Sequence, residues 1–153
     1  MADIALVFSR RGYGDLQLTG QDLVRDDGLE TAVLLSLFTD RRVSPEQLRE
    51  GEDRTELRGW WGDIRPPVEG DQFGSLLWLL AREKQTPEVL EKARQWAQQA
   101  LAWLLEDRVA QVVAVTTEFA GPGRMHLQAV IERPDASRET YRYDFEWAAQ
   151  AAK

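Results

Sequence analysis

The chain has 153 residues, of which 43% are hydrophobic and 29% charged, a composition typical of one soluble globular domain spanning residues 1–153. The formal net charge of −7 disfavours non-specific binding to nucleic acid, and the absence of cysteine excludes disulfides, thiolate metal sites and cysteine nucleophiles. Because no apolar run approaches the roughly 20 residues that cross a bilayer and no signal peptide is evident, we expect no membrane span and synthesis in a reducing cytoplasm.

The N-terminal residues predict a small β-structure. Residues 3–8 are typical of a first strand. Residues 15–18 and 22–24 form a second extended pair with a turn near Thr19 and Gly20, which predicts a β-hairpin. We find no internal repeat, low-complexity stretch or linker along the chain.

A central helix is predicted over residues 31–38. Asp27 is a suitable N-cap for it, with Glu30 three residues later as in a capping box. Its apolar residues cover nearly the whole circumference, and a helix of that kind is usually buried.

Three further helix starts follow. Ser44, with Pro45 at the first helical position and Gln47 at the third, predicts a short helix. Ser75 is the expected cap of a helix that continues to Leu80. Residues 86–105 have helical apolar spacing and predict the longest helix of the chain.

The last third predicts an antiparallel meander of three strands. Residues 109–117 are apolar on both faces, which favours a central strand, and a Gly-Pro-Gly turn at 121–123 leads into a strand over 125–133. A final strand carries an aromatic face, comprising Tyr141, Tyr143, Phe145 and Trp147. The predicted fold is therefore α+β: an N-terminal β-hairpin, several helices including one long helix, and a three-strand sheet packed under it.

Signals for catalysis or a cofactor are weak. His126 is the sole histidine and lies in a predicted strand, so we interpret it as a structural or surface residue and expect no transition-metal site. A glycosidase needs only two carboxylates at a suitable separation. The candidates are Glu30, Asp40, Glu56 and Asp63, but among 26 acidic residues some such pair is expected by chance.

The most distinctive stretch runs from Arg58 to Asp63 and reads Arg-Gly-Trp-Trp-Gly-Asp. Side chains of neighbouring residues in an extended segment point in opposite directions, so Trp60 and Trp61 are expected to face different environments. A core position for both tryptophans and an interface position for at least one are equally open. Arg58 and Asp63 are expected to pair across the turn.

Three segments resemble the Mu-type phage tail baseplate protein family in order and spacing across residues 29–105. They run from Leu37 to Arg42, from Arg58 to Asp63 and from Gly74 to Leu80. This family resembles the small baseplate wedge protein of T-even phages, which carries a description as lysozyme-like in activity. The Glu-Pro-Arg motif of those wedge proteins is absent here, so that description does not carry over.

The resemblance implies a structural, non-enzymatic wedge subunit in the baseplate of a contractile tail, made in the host bacterial cytoplasm and encoded by a phage, prophage or tailocin. Its implied partners are a larger J-type baseplate protein and neighbouring wedge or sheath subunits, with no cofactor and no nucleic acid. A cell-wall glycosidase is the alternative. The candidate interface residues are Asp40, Arg41, Arg42, Arg58, Gly59, Trp60, Trp61, Gly62 and Asp63.

Overall fold

The computed structural model describes residues 3–8, 14–26, 28–48, 50, 54–55 and 57–146. These residues form the predicted α+β fold, with N-terminal strand pairs, helices, and a C-terminal antiparallel sheet of three strands. Among the described residues, no helix combines the length and apolar character that crossing a membrane requires.

The described residues of the N-terminal part form six short strands. They are β1 (Asp3–Ile4), β2 (Leu6–Phe8), β3 (Gly14–Leu16), β4 (Leu18–Thr19), β5 (Asp22–Leu23) and β6 (Arg25–Asp26). The strands pair antiparallel as β1 with β6, β2 with β3, and β4 with β5. The last of these pairs confirms the predicted hairpin, and Gly20 adopts a positive φ of 67° in its turn.

Three backbone hydrogen bonds join these strand pairs in a closed cycle. The N–H of Ala5 donates to the carbonyl of Val24 (2.8 Å), that of Val24 to Gln17 (2.9 Å), and that of Gln17 to Ala5 (3.2 Å). In the sequence, each of these residues follows an Asp and then an Ile or Leu. The predicted strand 3–8 therefore changes partner at Ala5, from β6 to β3. The three-residue pattern of Asp, then Ile or Leu, then the hydrogen-bonded residue is too short to be evident as a repeat.

The central helix α1 spans Glu30–Phe38 and has Leu29, not an aspartate, at its N-cap position. The Asp26 carboxylate accepts hydrogen bonds from the backbone N–H groups of Thr31 (2.7 Å) and Gly28 (2.8 Å). Partial burial favours a higher pKa for Asp26, but these hydrogen bonds outweigh it and lower the pKa below its ordinary value. Asp27, the predicted cap, lies outside the described residues.

Ser44 is confirmed as an N-cap, whereas the N-cap of the next helix is Leu76 and not the predicted Ser75; both helices are 3₁₀ helices. The backbone N–H of Ser44 donates to the side-chain carbonyl of Gln47 (3.1 Å) at the start of the 3₁₀ helix Pro45–Gln47. The Ser75 hydroxyl accepts the N–H of Leu77 (3.1 Å), and the 3₁₀ helix there spans Leu77–Arg82, which is later than predicted.

The predicted long helix is present but bent. It consists of α2 (Pro87–Ala100) and α3 (Trp103–Glu106), separated by a two-residue turn. Across this turn the hydrogen bonds shorten to an i to i−3 spacing, as in the bond from the N–H of Leu104 to the carbonyl of Leu101 (3.1 Å). The tighter turn keeps both of these leucines fully buried.

The C-terminal meander contains β7 (Val112–Gly121), β8 (Arg124–Glu132) and β9 (Arg138–Glu146), in the spatial order β7-β8-β9. The prediction that the strand near 109–117 is central was wrong: β7 is an edge strand, begins at 112, and exposes its even-numbered residues. Valine and threonine favour strands whether or not both faces are buried, so composition alone did not distinguish an edge from a centre.

The core lies between this sheet, the bent helix and α1. Alternate residues of β8 are fully buried, and Thr117 of β7 donates through its hydroxyl to the Leu90 carbonyl of α2 (2.8 Å). The predicted aromatic face of β9 is confirmed for Tyr141, Tyr143 and Phe145, whereas Trp147 lies outside the described residues. A smaller cluster of Val43, Leu76 and Leu79 supports the segment that carries the candidate interface.

Candidate protein-protein interface

The three segments that carry the family resemblance are brought together by backbone pairing. Asp40 and Ser75 form a short parallel bridge, in which the N–H of Arg41 donates to the Ser75 carbonyl (2.9 Å) and the N–H of Ser75 to the Thr39 carbonyl (2.9 Å). The N–H of Val43 donates to the carbonyl of Leu57 (3.0 Å). Residues 39–43 therefore hold both of the other segments in place.

Two glycines make this close approach possible. Gly74 has φ +95°, and a Cβ at this position would lie 2.9 Å from the carbonyl carbon of Thr39 and closer still to its oxygen. Gly59 has φ +112°, and a Cβ there would lie 2.8 Å from the Cβ of Arg42. Both positions combine a left-handed backbone with a neighbour too close for a side chain.

Arg58 is held by the fold and does not pair with Asp63 as predicted. Its guanidinium forms an ion pair with Asp40 (2.8 Å) and lies 4.4 Å from the centroid of the Trp78 ring, on which it stacks. The indole N–H of Trp78 in turn donates to the Arg41 carbonyl (2.9 Å). Arg58, Asp40 and Trp78 therefore join all three segments through side chains.

The other two predicted cations lie at the edge of this arrangement. Arg41 donates through Nε to the side-chain oxygen of Gln72 (3.2 Å), and Arg42 donates through Nη1 to the carbonyl of Arg58 (3.5 Å). Arg42 is exposed and Arg41 is half-buried. These contacts orient the two side chains while leaving charge accessible to solvent.

The two tryptophans contact each other, which corrects the expectation that they face different environments. Their ring centroids are 5.3 Å apart, and the Trp60 ring also lies 5.3 Å from that of Phe73. Alternation fails because Trp61 begins a 3₁₀ helix, Trp61–Ile64, so the segment is not extended beyond Trp60. The Trp60 ring covers Gly62, leaving no room there for a Cβ.

Neither tryptophan is a core residue. Trp60 is 41% exposed and Trp61 is 78% exposed. Ile64, which follows Trp61 by three residues and so shares its side of the 3₁₀ helix, is 82% exposed, and Val68 is 66% exposed. We call Trp60, Trp61, Ile64 and Val68 the Trp61 surface.

Sequence reasoning missed Ile64 and Val68. The signal for Ile64 was its three-residue spacing from Trp61, which becomes informative once the segment is known to be a 3₁₀ helix. Val68 follows two prolines in a segment with no apolar periodicity, and its exposure follows only from the folded loop.

Two of the four carboxylates considered for glycoside hydrolysis, Asp40 and Asp63, have structural contacts. Asp40 pairs with Arg58, and Asp63 accepts the backbone N–H of Phe73 (3.2 Å) through Oδ1. Glu30 lies in the first turn of α1, and Glu56 lies outside the described residues. The structure therefore gives Asp40 and Asp63 roles in holding loops together.

His126 lies on β8 and contacts Asp144, its cross-strand neighbour on β9, through Nδ1. The two side chains are half-exposed at the sheet surface, and the interpretation of His126 as a structural or surface residue stays a prediction. Among the described residues, no group of three or more histidine, aspartate or glutamate side chains is arranged to hold a metal ion.

Comparisons with known proteins identify the family of this chain. The sequence model of the family described as phage protein GP46 matches residues 29–138, a range that includes all three segments. The chain is 41% identical to the Mu-like prophage FluMu protein gp46 of Haemophilus influenzae, covering 97% of this chain and 99% of the relative. It is 40% identical to the baseplate protein gp46 of Escherichia phage Mu, covering 94% and 95%. The chain therefore belongs to the phage protein GP46 family.

Proposed function

We propose that this chain is a structural component of the tail baseplate of a Mu-type contractile phage, prophage or tailocin, and that it acts there as a wedge subunit. The observation that carries the proposal is its 40% identity to the phage Mu baseplate protein over 94% of its own length. Because the match covers both proteins almost completely, the two chains are expected to fill the same place in their tails. The mature protein would reside in the virion tail after synthesis in the host bacterial cytoplasm.

We further propose that the Trp61 surface contacts a neighbouring baseplate protein. Tryptophan is enriched among residues that dominate binding energy, and neighbouring exposed apolar side chains such as Trp61 and Ile64 are typical of protein-protein interaction sites. Exposed Arg42 and half-buried Arg41 would lie at the polar rim of such an interface. The implied partners are the larger J-type baseplate protein and adjacent wedge or sheath subunits.

Within the candidate interface, Trp61 is the better anchor and Arg58 the poorer one. The Arg58 guanidinium is already engaged by Asp40 and the Trp78 ring. Trp61, by contrast, has its ring against that of Trp60 and retains 78% of its surface exposed. We therefore assign Arg58, Gly59, Gly62 and Asp63 to holding the loop, and Trp61 with Ile64 to meeting the partner.

Placement in the tail can be tested by complementation. Tails assembled in an extract that lacks this chain would be supplied with purified protein carrying a gold-binding tag, and viewed by electron microscopy. We expect gold at the baseplate and restored tails. Tails that assemble normally without the chain, or gold found elsewhere on the particle, would contradict the baseplate assignment.

The interface can be tested by co-purification with the adjacent large baseplate protein. The double variant Trp61→Ala with Ile64→Ala is expected to lose co-purification. The matched control combines Leu105→Ala with Val112→Ala, which removes two apolar side chains that are exposed outside the Trp61 surface. Retention by both variants would sink the interface assignment.

We propose that the role requires no catalysis, because the carboxylates nearest the candidate interface are engaged in loop contacts. Purified protein incubated with peptidoglycan at mildly acidic and neutral pH is expected to release no soluble fragments. Release that is abolished by Asp40→Asn would instead favour a glycosidase.

A further inference from the structure

A second surface lies where residues 71–74 pass α1 and the bend between α2 and α3. This groove has a volume of about 570 Å³. It is lined by apolar side chains that include Ala32, Leu35, Phe73 and Trp103, and by carboxylates that include Asp71 and Glu106. We call it the helix-bend groove.

The groove accounts for an anomaly in α1. This helix is apolar nearly all round, yet Leu35 is 36% exposed and lies in the groove, not in the core. The neighbouring Ser36 hydroxyl accepts the indole N–H of Trp103 (3.0 Å), which fixes that ring as part of the groove wall. An apolar helix face that is exposed to solvent is typical of a surface that another chain covers.

The charges around the groove are unbalanced. Asp3, Asp71, Glu106 and Asp107 line it and are all exposed, whereas Arg41 is the one cation among the described lining residues. The Nε of Arg41 already donates to Gln72. Among the described residues, Asp71, Glu106 and Asp107 form no ion pair.

The position of two of these acids makes the imbalance sharper. Glu106 ends α3 and Asp107 follows it, so both carboxylates lie at the C-terminal end of the bent helix. Backbone carbonyls give this end a partial negative charge, which favours cations and disfavours carboxylates. The last turns of α2 and α3 contain no basic residue.

We propose that the helix-bend groove binds a segment of a partner chain in which an arginine or lysine is flanked by apolar side chains. The apolar residues would cover Leu35 and Ala32, and the cation would face Glu106, Asp107 and Asp71. Arginine suits the site best because its planar group both pairs with carboxylates and stacks on aromatic rings such as Trp103. The identity of the partner as a tail protein rests on the proposed function, whereas the chemistry of the groove does not.

Titration of the isolated, isotope-labelled chain by NMR tests this chemistry directly. The probe is a short blocked peptide in which leucine and arginine alternate, and the comparison peptides carry glutamate or glutamine in place of arginine. We expect only the arginine peptide to shift the Leu35 amide and the Trp103 indole signals, with binding that weakens as salt is added. Equal shifts with the glutamine peptide, shifts confined to other residues, or no shifts would overturn the proposal.

Charge reversal supplies the second arm. The double variant Asp71→Lys with Glu106→Lys is expected to weaken binding of the arginine peptide by about tenfold, since it replaces two exposed attractive charge pairs by repulsive ones. Glu50→Lys with Glu118→Lys changes the net charge equally at exposed residues outside the groove and is expected to bind normally. Equal loss in both variants would show an effect of net charge alone and overturn the site. Because no baseplate is present, these results are separate from the complementation result.

Discussion

In the C-terminal sheet the apolar side chains of β8 point into the core and are buried, whereas in residues 60–68 the largest apolar side chains are exposed to solvent. Met125, Leu127, Ala129 and Ile131 have no exposed surface, but Trp61 and Ile64 expose about four fifths of theirs. Both regions are well defined by hydrogen bonds. The sheet is held by buried side chains, whereas the loop is held by the close approach of backbones.

The loop is held by features that require little apolar burial. Its segments are joined by the Asp40–Ser75 bridge, by glycines that admit a neighbouring backbone, and by the ion pair between Arg58 and Asp40. Because these contacts fix the loop, we expect the fold not to depend on the Trp61 side chain. A side chain of this size that is not needed for folding is available for binding a partner.

The largest difference in stability is expected between two leucines. Leu127→Ala on β8 removes a fully buried side chain and is expected to lower the free energy of unfolding by about 2–5 kcal/mol. Leu18→Ala, at a residue that is 65% exposed, is the matched control and is expected to cost less than about 1 kcal/mol. Urea unfolding followed by circular dichroism measures both. Equal losses would mean that Leu18 is also part of the folded core.

Glycine substitutions test the backbone contacts of the loop. Gly74→Ala is expected to cost roughly 2–5 kcal/mol, because a left-handed alanine costs about 1–2 and the clash with Thr39 adds about 1–3. Gly70→Ala has the same kind of positive φ but no atom within 4 Å of the new Cβ, so it is expected to cost only the first amount. Thermal and urea unfolding would compare them. A Gly74→Ala protein as stable as Gly70→Ala would contradict the close approach.

A smaller effect is expected at the start of α1. Asp26→Ala removes the acceptor for two backbone N–H groups and is expected to cost about 1 kcal/mol at neutral pH. Since folding lowers the pKa of Asp26, its stabilisation is present above the ordinary aspartate pKa of about 4 and is lost as the pH falls through the lower folded value. The gap between wild type and variant should therefore close in acid.

The control for Asp26→Ala is Asp22→Ala. The Asp22 carboxylate accepts the N–H of the adjacent Leu23. We expect the free energy of unfolding of Asp22→Ala to stay within about 0.5 kcal/mol of wild type at every pH. If the gap for Asp26→Ala persisted unchanged at the lowest pH, the carboxylate would not be the source of the stabilisation.

Periodicity predicted most of the fold because burial of apolar side chains determines which residues face inward there. The helix over Glu30–Phe38, the bent helix and the strands around Leu127 and Tyr143 all follow patterns that burial enforces. The edge position of β7 was mispredicted, because valine and threonine suit a strand whether one or both faces are covered.

The residue types in the sequence identified the segment of the candidate interface, but they did not predict the contacts that its side chains make. The Arg-Gly-Trp-Trp-Gly-Asp stretch marked the right segment, yet the partner of Arg58 proved to be Asp40, which is 18 residues away in sequence. Non-local backbone pairing through Ser75 fixes that neighbour, and no local pattern encodes it. The 3₁₀ turn at Trp61 likewise overrode the extended alternation on which the tryptophan prediction rested.

The most direct test measures stability and assembly together on Trp61→Ala. The fold should tolerate this change, with the free energy of unfolding within about 0.5 kcal/mol of wild type, because the side chain is 78% exposed. Incorporation of the purified variant into tails that lack the chain should nevertheless fail, while Val112→Ala should incorporate normally. A stable Trp61→Ala protein that restores tails as well as wild type, or a variant that unfolds as readily as Leu127→Ala, would contradict the claim that this tryptophan serves assembly and not folding.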